Sequence, residues 1–347
     1  MIITHKDNTI YLRWRDEDGN RLEKEVTDFR PYFYVSSDER MPQAYNISVT
    51  NSQGRKMKLP QEFIYERTKH VNLENQPLTK VMVTKYNDIR TARKYFDKTY
   101  EADVSFTHRY CIDEMTEIPE YDLRKWYWDM EWMTTGEYDG AITTIAVYEN
   151  YADCINLYYW TPKDAKLDMI VVDAVEYHFN SEEDMLEAFV SDIEEQDPDM
   201  LIAWFGLQAD IPKLFERLKE NNIDISRLSP IGLVKPSNKA WNQISPISQP
   251  IYGRLCLNLD HAFERQWNDA QRGTLPSTAL DFVGNLLFGE GKKKESKFTD
   301  KNEFFRRAWL EDTQNYLDYN IQDVVLLKRI DDENAISESI LALQRLL

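Results

Sequence analysis

The 347-residue chain carries 60 acidic against 42 basic residues, a formal charge of −18. Phosphate backbones favour basic surfaces, so bulk electrostatics exclude a strong general nucleic-acid binder; a local groove, bound divalent ions or a basic partner would have to supply such attraction. A hydrophobic content of 42% with 9 Trp, 20 Tyr and 15 Phe excludes global disorder, and no apolar run approaches the roughly 20 residues that span a bilayer.

The length suits two domains, each with its own core. The opening "MIITHKDNTIYLRW" sets charges where a signal peptide would be apolar, so no leader is expected. Cys111, Cys154 and Cys256 lie far apart with no C-x-x-C. They suggest a reducing cytoplasm, with neither a disulfide framework nor a zinc site.

In chain order, residues 1–115 read as a small strand-rich α+β domain. "TIYLRWR" and "RLEKEVTDF" flank "DEDGN", whose Asp18-Gly19 step signals a hairpin. "RPYFYVS" and "KVMVTKY" read as further strands and "DIRTARKYFDKTY" as an amphipathic helix, with "TEIPEYDLRK" as a linker. From 126 strands alternate with helices: "AITTIAVYEN" and "CINLYYW" are strands, and Ser181 opens a capped helix in "SEEDMLEAFVSDIEEQ". "MLIAWF" is a short buried strand and "IPKLFERLKENN" a helix. Residues 228–255 are rich in turn formers and read as a long hairpin or loop, and helices are expected at about 275–289 and 302–345.

Three carboxylate positions stand out. In "KWYWDMEWMTT" a strand puts Asp129 and Glu131 on one face and Trp128, Met130 and Trp132 on the other. Two like charges side by side in an apolar setting need a compensating cation; the alternative is an exposed strand with its polar face in water. Asp210 precedes Ile211-Pro212 at a strand-to-helix turn, where Asp is also a favoured N-cap. Such a turn lies at a sheet's carboxyl edge, where sites gather. In "NYLDYNIQDVVLLKRID" a helix would align Tyr316, Tyr319, Asp323 and Leu327 on one stripe. Asp323 would then want a partner, either a metal or a salt bridge to Arg306 or Lys328.

Taken together, Asp129-x-Glu131 on a strand, Asp210 at a turn and Tyr319-x-x-x-Asp323 on a late helix match the three exonuclease motifs of the DEDD superfamily. The Tyr four residues before the last Asp marks its y subclass; the h subclass would need a histidine there, and the five histidines lie far off in sequence. With "RLSPIG", "YGR", "LPSTALDFV" and "YNIQDV", the chain resembles the N-terminal and 3′–5′ exonuclease domains of a family B DNA polymerase, closest to the bacteriophage replicative branch. The resemblance covers essentially 100–345 and is weaker over 1–100.

It implies an α/β architecture: an RNase H-like exonuclease domain at 116–335, with a mixed sheet flanked by helices, after the N-terminal domain. A β-hairpin is expected at 233–253, and 336–347 would end the helix leading toward a polymerase region. Asp129, Glu131, Asp210 and Asp323 would hold two Mg²⁺ or Mn²⁺ ions, hard cations that suit oxygen ligands. The implied reaction is in-line attack of a metal-activated water on the 3′-terminal phosphodiester, with the leaving 3′ oxygen stabilised by the second ion. A tyrosine, with an ordinary pKa of about 10, is a poor base near neutrality, which assigns Tyr319 to orienting the water. Trp132 would stack on unpaired bases or pack in the core. Lys292, Lys293 and Lys294 would contact phosphates or form a solvated loop. Trp241 marks the probable hairpin tip, the element that in phage relatives helps pass the primer strand to the exonuclease.

The pattern departs in places. Phe205 and Ala209 stand where the family has Asn and an aromatic, which bears on strand positioning and leaves Phe205 as a DNA-contacting candidate. Asn258 stands where relatives often have Asp. The polymerase motifs of the D-x-x-S-L-Y-P-S and Y-G-D-T-D-S kinds are absent, so the chain reads as a cut piece or the N-terminal part of a split polymerase. The expectation is a proofreading 3′–5′ exodeoxyribonuclease acting on single-stranded DNA ends. It would partner a polymerase domain or chain in the cytoplasm, of an infected bacterial host if phage-encoded. The alternatives are a DEDD-type ribonuclease and a non-catalytic module binding single strands or a polymerase partner.

Overall fold

The computed structural model describes residues 1–165, 170–236, 245–269, 272–289, 297–298 and 300–346. The chain divides into two units, Met1–Tyr121 and Asp122–Leu347.

In the first unit, β1 (Ile2–Lys6), β2 (Thr9–Arg15) and β3 (Arg21–Val26) form an antiparallel meander. Its turn is set by Gly19 at φ 80° and by the Asp16 carboxylate, which accepts from the amides of Asp18 and Asn20. A second sheet takes β4 (Tyr32–Ser36), with β5 (Ala44–Thr50) and β6 (Lys56–Glu62) as a separate ribbon. It continues through β7 (Ile64–Val71) and β8 (Pro77–Met82), and its order, with β9 (Thr99–Tyr100), is β7-β8-β4-β9. Phe33, Val35, Tyr45, Phe63 and Val81 form its core. The helix expected over "DIRTARKYFDKTY" is reduced to one turn, α1 (Ile89–Ala92), between 3₁₀ turns. Its end is drawn out because Thr99 and Tyr100 pair with β4. The unit closes with α2 (Phe106–Glu114), capped by Ser105.

The second unit is α/β. Its seven-stranded mixed sheet is built from β10 (Lys125–Trp132), β11 (Ile142–Glu149), β12 (Cys154–Trp160), β13 (Val175–Phe179), β14 (Met200–Ala203), β15 (Ile247–Ser248) and β16 (Leu255–Asn258), in the order β13-β12-β11-β10-β14-β16-β15. β11 runs antiparallel to both β10 and β12, whereas β14 and β16 run parallel to β10. The helices are α3 (Glu182–Gln196), α4 (Asp210–Glu220), α5 (Leu259–Asp269), α6 (Leu280–Phe288), α7 (Lys301–Glu311), α8 (Thr313–Asn334) and α9 (Ile336–Leu346). Among the described residues no helix is long and apolar enough to cross a membrane.

The alternation of β10 decides which face meets which helix. Trp126, Trp128 and Met130 are buried, and both indoles pack on Phe189 of α3. Burying one large apolar side chain is worth roughly 1.5–3 kcal/mol, so a one-residue slip that exposed this set is strongly disfavoured. That choice turns Tyr127, Asp129 and Glu131 toward the opposite face, where α8 packs: the Tyr127 hydroxyl donates to Asp331 (2.6 Å) and Asn320 donates to Asp129 (2.8 Å).

The single helix expected over 302–345 is three. Asp312, at φ −148°, separates α7 from α8, and its carboxylate accepts from the Lys297 amide (3.0 Å). Ala335, in the left-handed region at φ 46°, separates α8 from α9, and Asp331 then accepts from both the amide and the hydroxyl of Ser337. The helix expected at 275–289 starts later, at Leu280. Of the hairpin expected at 233–253, the described base is paired: Val234 bridges Ile251, and Lys235 N–H donates to Pro250 C=O (2.8 Å).

Candidate metal centre and nucleic-acid cleft

Asp129 and Glu131 of β10 and Asp323 of α8 each offer an oxygen, and these atoms lie within 4.8 Å of one another. Asp323 is 1% exposed, set in an α8 face that also buries Tyr316, Asn320 and Leu327. Three carboxylates at this spacing repel one another, and water cannot fully screen the buried one. A divalent cation with hard oxygen preference is the natural complement, and the donor set fits Mg²⁺ or Mn²⁺.

The surrounding polar groups fix these side chains. The register of β10 on β11 shifts between Glu131–Thr144 and Trp132–Ile142, which leaves Thr143 as an extra residue, a β-bulge. Thr143 therefore joins Thr144 in facing α8. Its hydroxyl donates to Glu131 C=O (3.1 Å), which leaves the Tyr316 hydroxyl to donate to Thr143 (2.7 Å). Burial pushes the Tyr316 hydroxyl well above its ordinary pKa of 10, and the Glu131 and Asp129 charges add to the rise. Tyr316 is accordingly a fixed neutral donor and no base.

Asp210 is buried but stands outside the 4.8 Å cluster. It is the first residue of α4, with Ala209 at the N-cap and no side-chain cap bond, so simple N-capping does not describe it. A Cβ on Gly206 would approach Ala203 Cβ to 2.7 Å, and would sit 3.9 Å from Asp210 Oδ2. Glycine is thus a steric requirement of the turn that delivers Asp210. Asn258, given no role by sequence reasoning, pins the same turn: it is fully buried, accepts from Leu207 N–H (2.7 Å) and donates to Gln208 Oε1.

Tyr319 stands one turn before Asp323 on α8 and is buried like it. It turns toward α7, with ring centroids 5.5 Å from both Phe304 and Phe305. Asn320, one position along, meets the sheet through Asp129 and Thr144, and the sequence reading missed it. Of the cations proposed to pair with Asp323, Lys328 bonds Asp332, and Arg306 Nε donates to Asn302 C=O.

Trp132 is half-buried and walls a cleft of about 510 Å³, with Glu131, Thr134, Thr135, Asn302, Phe305 and Arg306 around it. Pure core packing therefore does not describe it. Phe205, at the mouth of the Asp210 turn, is 38% exposed. Trp241, Lys292, Lys293 and Lys294 lie outside the described residues.

No family model matches the chain. It is similar to DNA polymerases. The protein of that name from Pyrococcus glycovorans is 24% identical over 311 residues, 84% of this chain and 36% of the relative. DNA polymerase 1 of Pyrococcus abyssi is 27% identical over 198 residues, 56% of this chain and 23% of the relative. The DNA polymerase of Thermococcus sp. strain 9oN-7 is 28% identical over 199 residues, again 56% and 23%. The chain thus spans about a third or less of the length of these relatives.

A buried carboxylate behind the Asp210 turn yields a pH prediction. Asp260 is 2% exposed, and its amide donates to Trp204 C=O (3.2 Å) at the end of β14. Burial pushes its carboxyl up from 3.8 to about 7, against the bond it accepts from the His261 amide. A raised folded-state pKa means that the folded chain binds the proton more tightly. The stability it contributes is complete below about pH 4 and is lost as pH rises through about 7. At 1.36 kcal/mol per tenfold change in proton affinity, the whole effect is on the order of 4 kcal/mol. Asp260→Asn should flatten this slope. Urea midpoints at pH 5 and pH 8 should diverge less in the variant than in the parent chain, and equal slopes would refute the assignment.

Proposed function

We propose that the chain is the 3′–5′ exonuclease part of a family B DNA polymerase, a metal-dependent exodeoxyribonuclease that trims single-stranded 3′ ends. The observation that carries this reading is the meeting of Asp129, Glu131 and Asp323 within 4.8 Å from a strand and a helix far apart in sequence. The order of the motifs, the similarity to DNA polymerases, and the sheet order support it. Across β12-β11-β10-β14-β16 the strands run third-second-first-fourth-fifth with the second reversed, which supports an RNase H-like fold. The named relatives come from Pyrococcus and Thermococcus, so the bacteriophage branch rests on motif resemblance alone.

Bound Mg²⁺ or Mn²⁺ would supply Lewis acidity and a water of lowered pKa. Asp129, Glu131 and Asp323 would hold the ions, with Asp210 drawn in from its turn. Tyr319 would orient the attacking water, Trp132 and Phe305 would offer apolar faces to the terminal base, and Arg306 is placed to meet a phosphate. Water adds to the terminal phosphorus, the P–O3′ bond breaks, and the departing 3′ oxygen takes up a proton as a nucleoside 5′-monophosphate leaves.

Asp210's place outside the cluster, with Phe205 and Ala209 beside it, favours a second reading, a module that binds single strands without cutting them. Matched 5′-labelled DNA and RNA oligonucleotides with Mg²⁺ discriminate. Faster shortening of the DNA supports the proposal, preference for the RNA supports a ribonuclease, and binding without cleavage supports the second reading.

A further inference from the structure

We infer that Asn320 is a positioning residue for Asp129, itself held in orientation by Thr144, and that the bulge at Thr143 makes this possible. The inference rests on the metal-dependent reading above. Asn320 is fully buried and lies one turn before Asp323 on the face of α8 that meets the sheet. A buried amide must satisfy both ends. Ionised Asp129 only accepts, so Asn320 turns Nδ2 toward it (2.8 Å) and leaves Oδ1 needing a donor. Thr144 supplies that donor at 3.1 Å. Without the hydroxyl Oδ1 loses this donor in a buried site, and the amide is held against Asp129 from one end only.

In a regular strand Thr143 and Thr144 would point to opposite faces. The register shift after Glu131 lets both reach α8, one to Tyr316 and one to Asn320. One amide thereby ties the first motif's strand to the helix that carries Asp323. Partners of this kind behind metal ligands fix ligand orientation, and their loss typically costs 10–100-fold in metal affinity.

The test is a Mn²⁺ titration of the full chain, following free Mn²⁺ by electron paramagnetic resonance, with thermal midpoints taken in EDTA. Asn320→Leu and Thr144→Val should each raise the Mn²⁺ concentration for half-occupancy by about 10–100-fold. Thr144→Ser, which keeps the hydroxyl, should bind as the parent chain does. A purely structural role would lower the EDTA midpoint and leave Mn²⁺ occupancy of the folded protein unchanged, and that result overturns the inference. If Asn320→Leu does not fold, the Thr144→Val and Thr144→Ser pair decides alone. A parent chain that binds no Mn²⁺ overturns the metal-dependent reading and the inference with it, whereas a binding parent with unshifted variants overturns the inference only.

Discussion

Asp323→Asn is expected to abolish trimming of single-stranded DNA while raising the thermal midpoint measured in EDTA. The two effects have one cause. Asp323, 1% exposed, shares a 4.8 Å cluster with Asp129 and Glu131. At an effective dielectric of about 20, each like-charge pair at that spacing costs on the order of 3 kcal/mol. The isosteric amide removes those repulsions and the desolvation of a buried charge. The same change removes a hard ligand. If an ion supplies several kcal/mol of transition-state stabilisation, at 1.36 kcal/mol per tenfold, the rate should fall by about 10³-fold or more. Adding Mg²⁺ should stabilise the parent chain, by about 2.7 kcal/mol at a hundredfold excess over the dissociation constant, and leave the variant where it was. Thermal scans with and without Mg²⁺ check this. A variant less stable than the parent in EDTA would mean that Asp323 is a structural carboxylate and not a repelled one.

Arg254→Met should be the most damaging single change away from the cluster. Arg254 is buried, and its guanidinium bonds Leu228 C=O (2.8 Å), Asp197 Oδ1 (2.7 Å), Pro198 C=O (2.5 Å) and Ile193 C=O (3.2 Å). Ile193, Asp197 and Pro198 end α3, where Asp197 stands at φ 50°, and begin the segment leading to β14, while Leu228 ends the 3₁₀ turn after α4. No neutral side chain replaces five donors in a planar fork. Removing it takes the charged donor away from buried carbonyls and from Asp197, a loss of about 3–5 kcal/mol. Chemical denaturation should record that drop, and Arg254→Lys should recover only part of it; a change under about 1 kcal/mol would contradict the argument.

The elements that position the cluster were legible where burial and periodicity agree. Alternation in "KWYWDMEW" puts Trp126, Trp128 and Met130 on one face, which forces Asp129 and Glu131 to the other, and the 3.6-residue period of α8 turns Asp323 toward the sheet. A stripe of i, i+3 and i+7 residues is wide enough to touch two neighbours. Asp323 meets β10, while Tyr319 meets Phe304 and Phe305 of α7. Asn320 was overlooked because an asparagine beside a tyrosine has no periodic signature. Its role depends on Thr144, and so on a bulge that no pattern in "AITTIAVYEN" announces. The breaks at Asp312 and Ala335 were equally hidden, since neither is a glycine or proline. A side-chain bond marks each break: Asp312 accepts from the Lys297 amide, 15 residues away, and Asp331 accepts from Ser337, six residues on. Asn258 was noted only as a departure from the family pattern; its role was hidden because it acts on the loop of another strand, 51 residues away.

The most direct measurement follows a 5′-labelled single-stranded DNA oligonucleotide with Mg²⁺ or Mn²⁺, comparing the chain with its Asp129→Ala/Glu131→Ala variant. The account predicts a ladder shortening from the 3′ end that vanishes in the double variant and with EDTA. Intact substrate under every condition, with the protein folded, would contradict it, and so would a ladder that the double variant leaves unchanged.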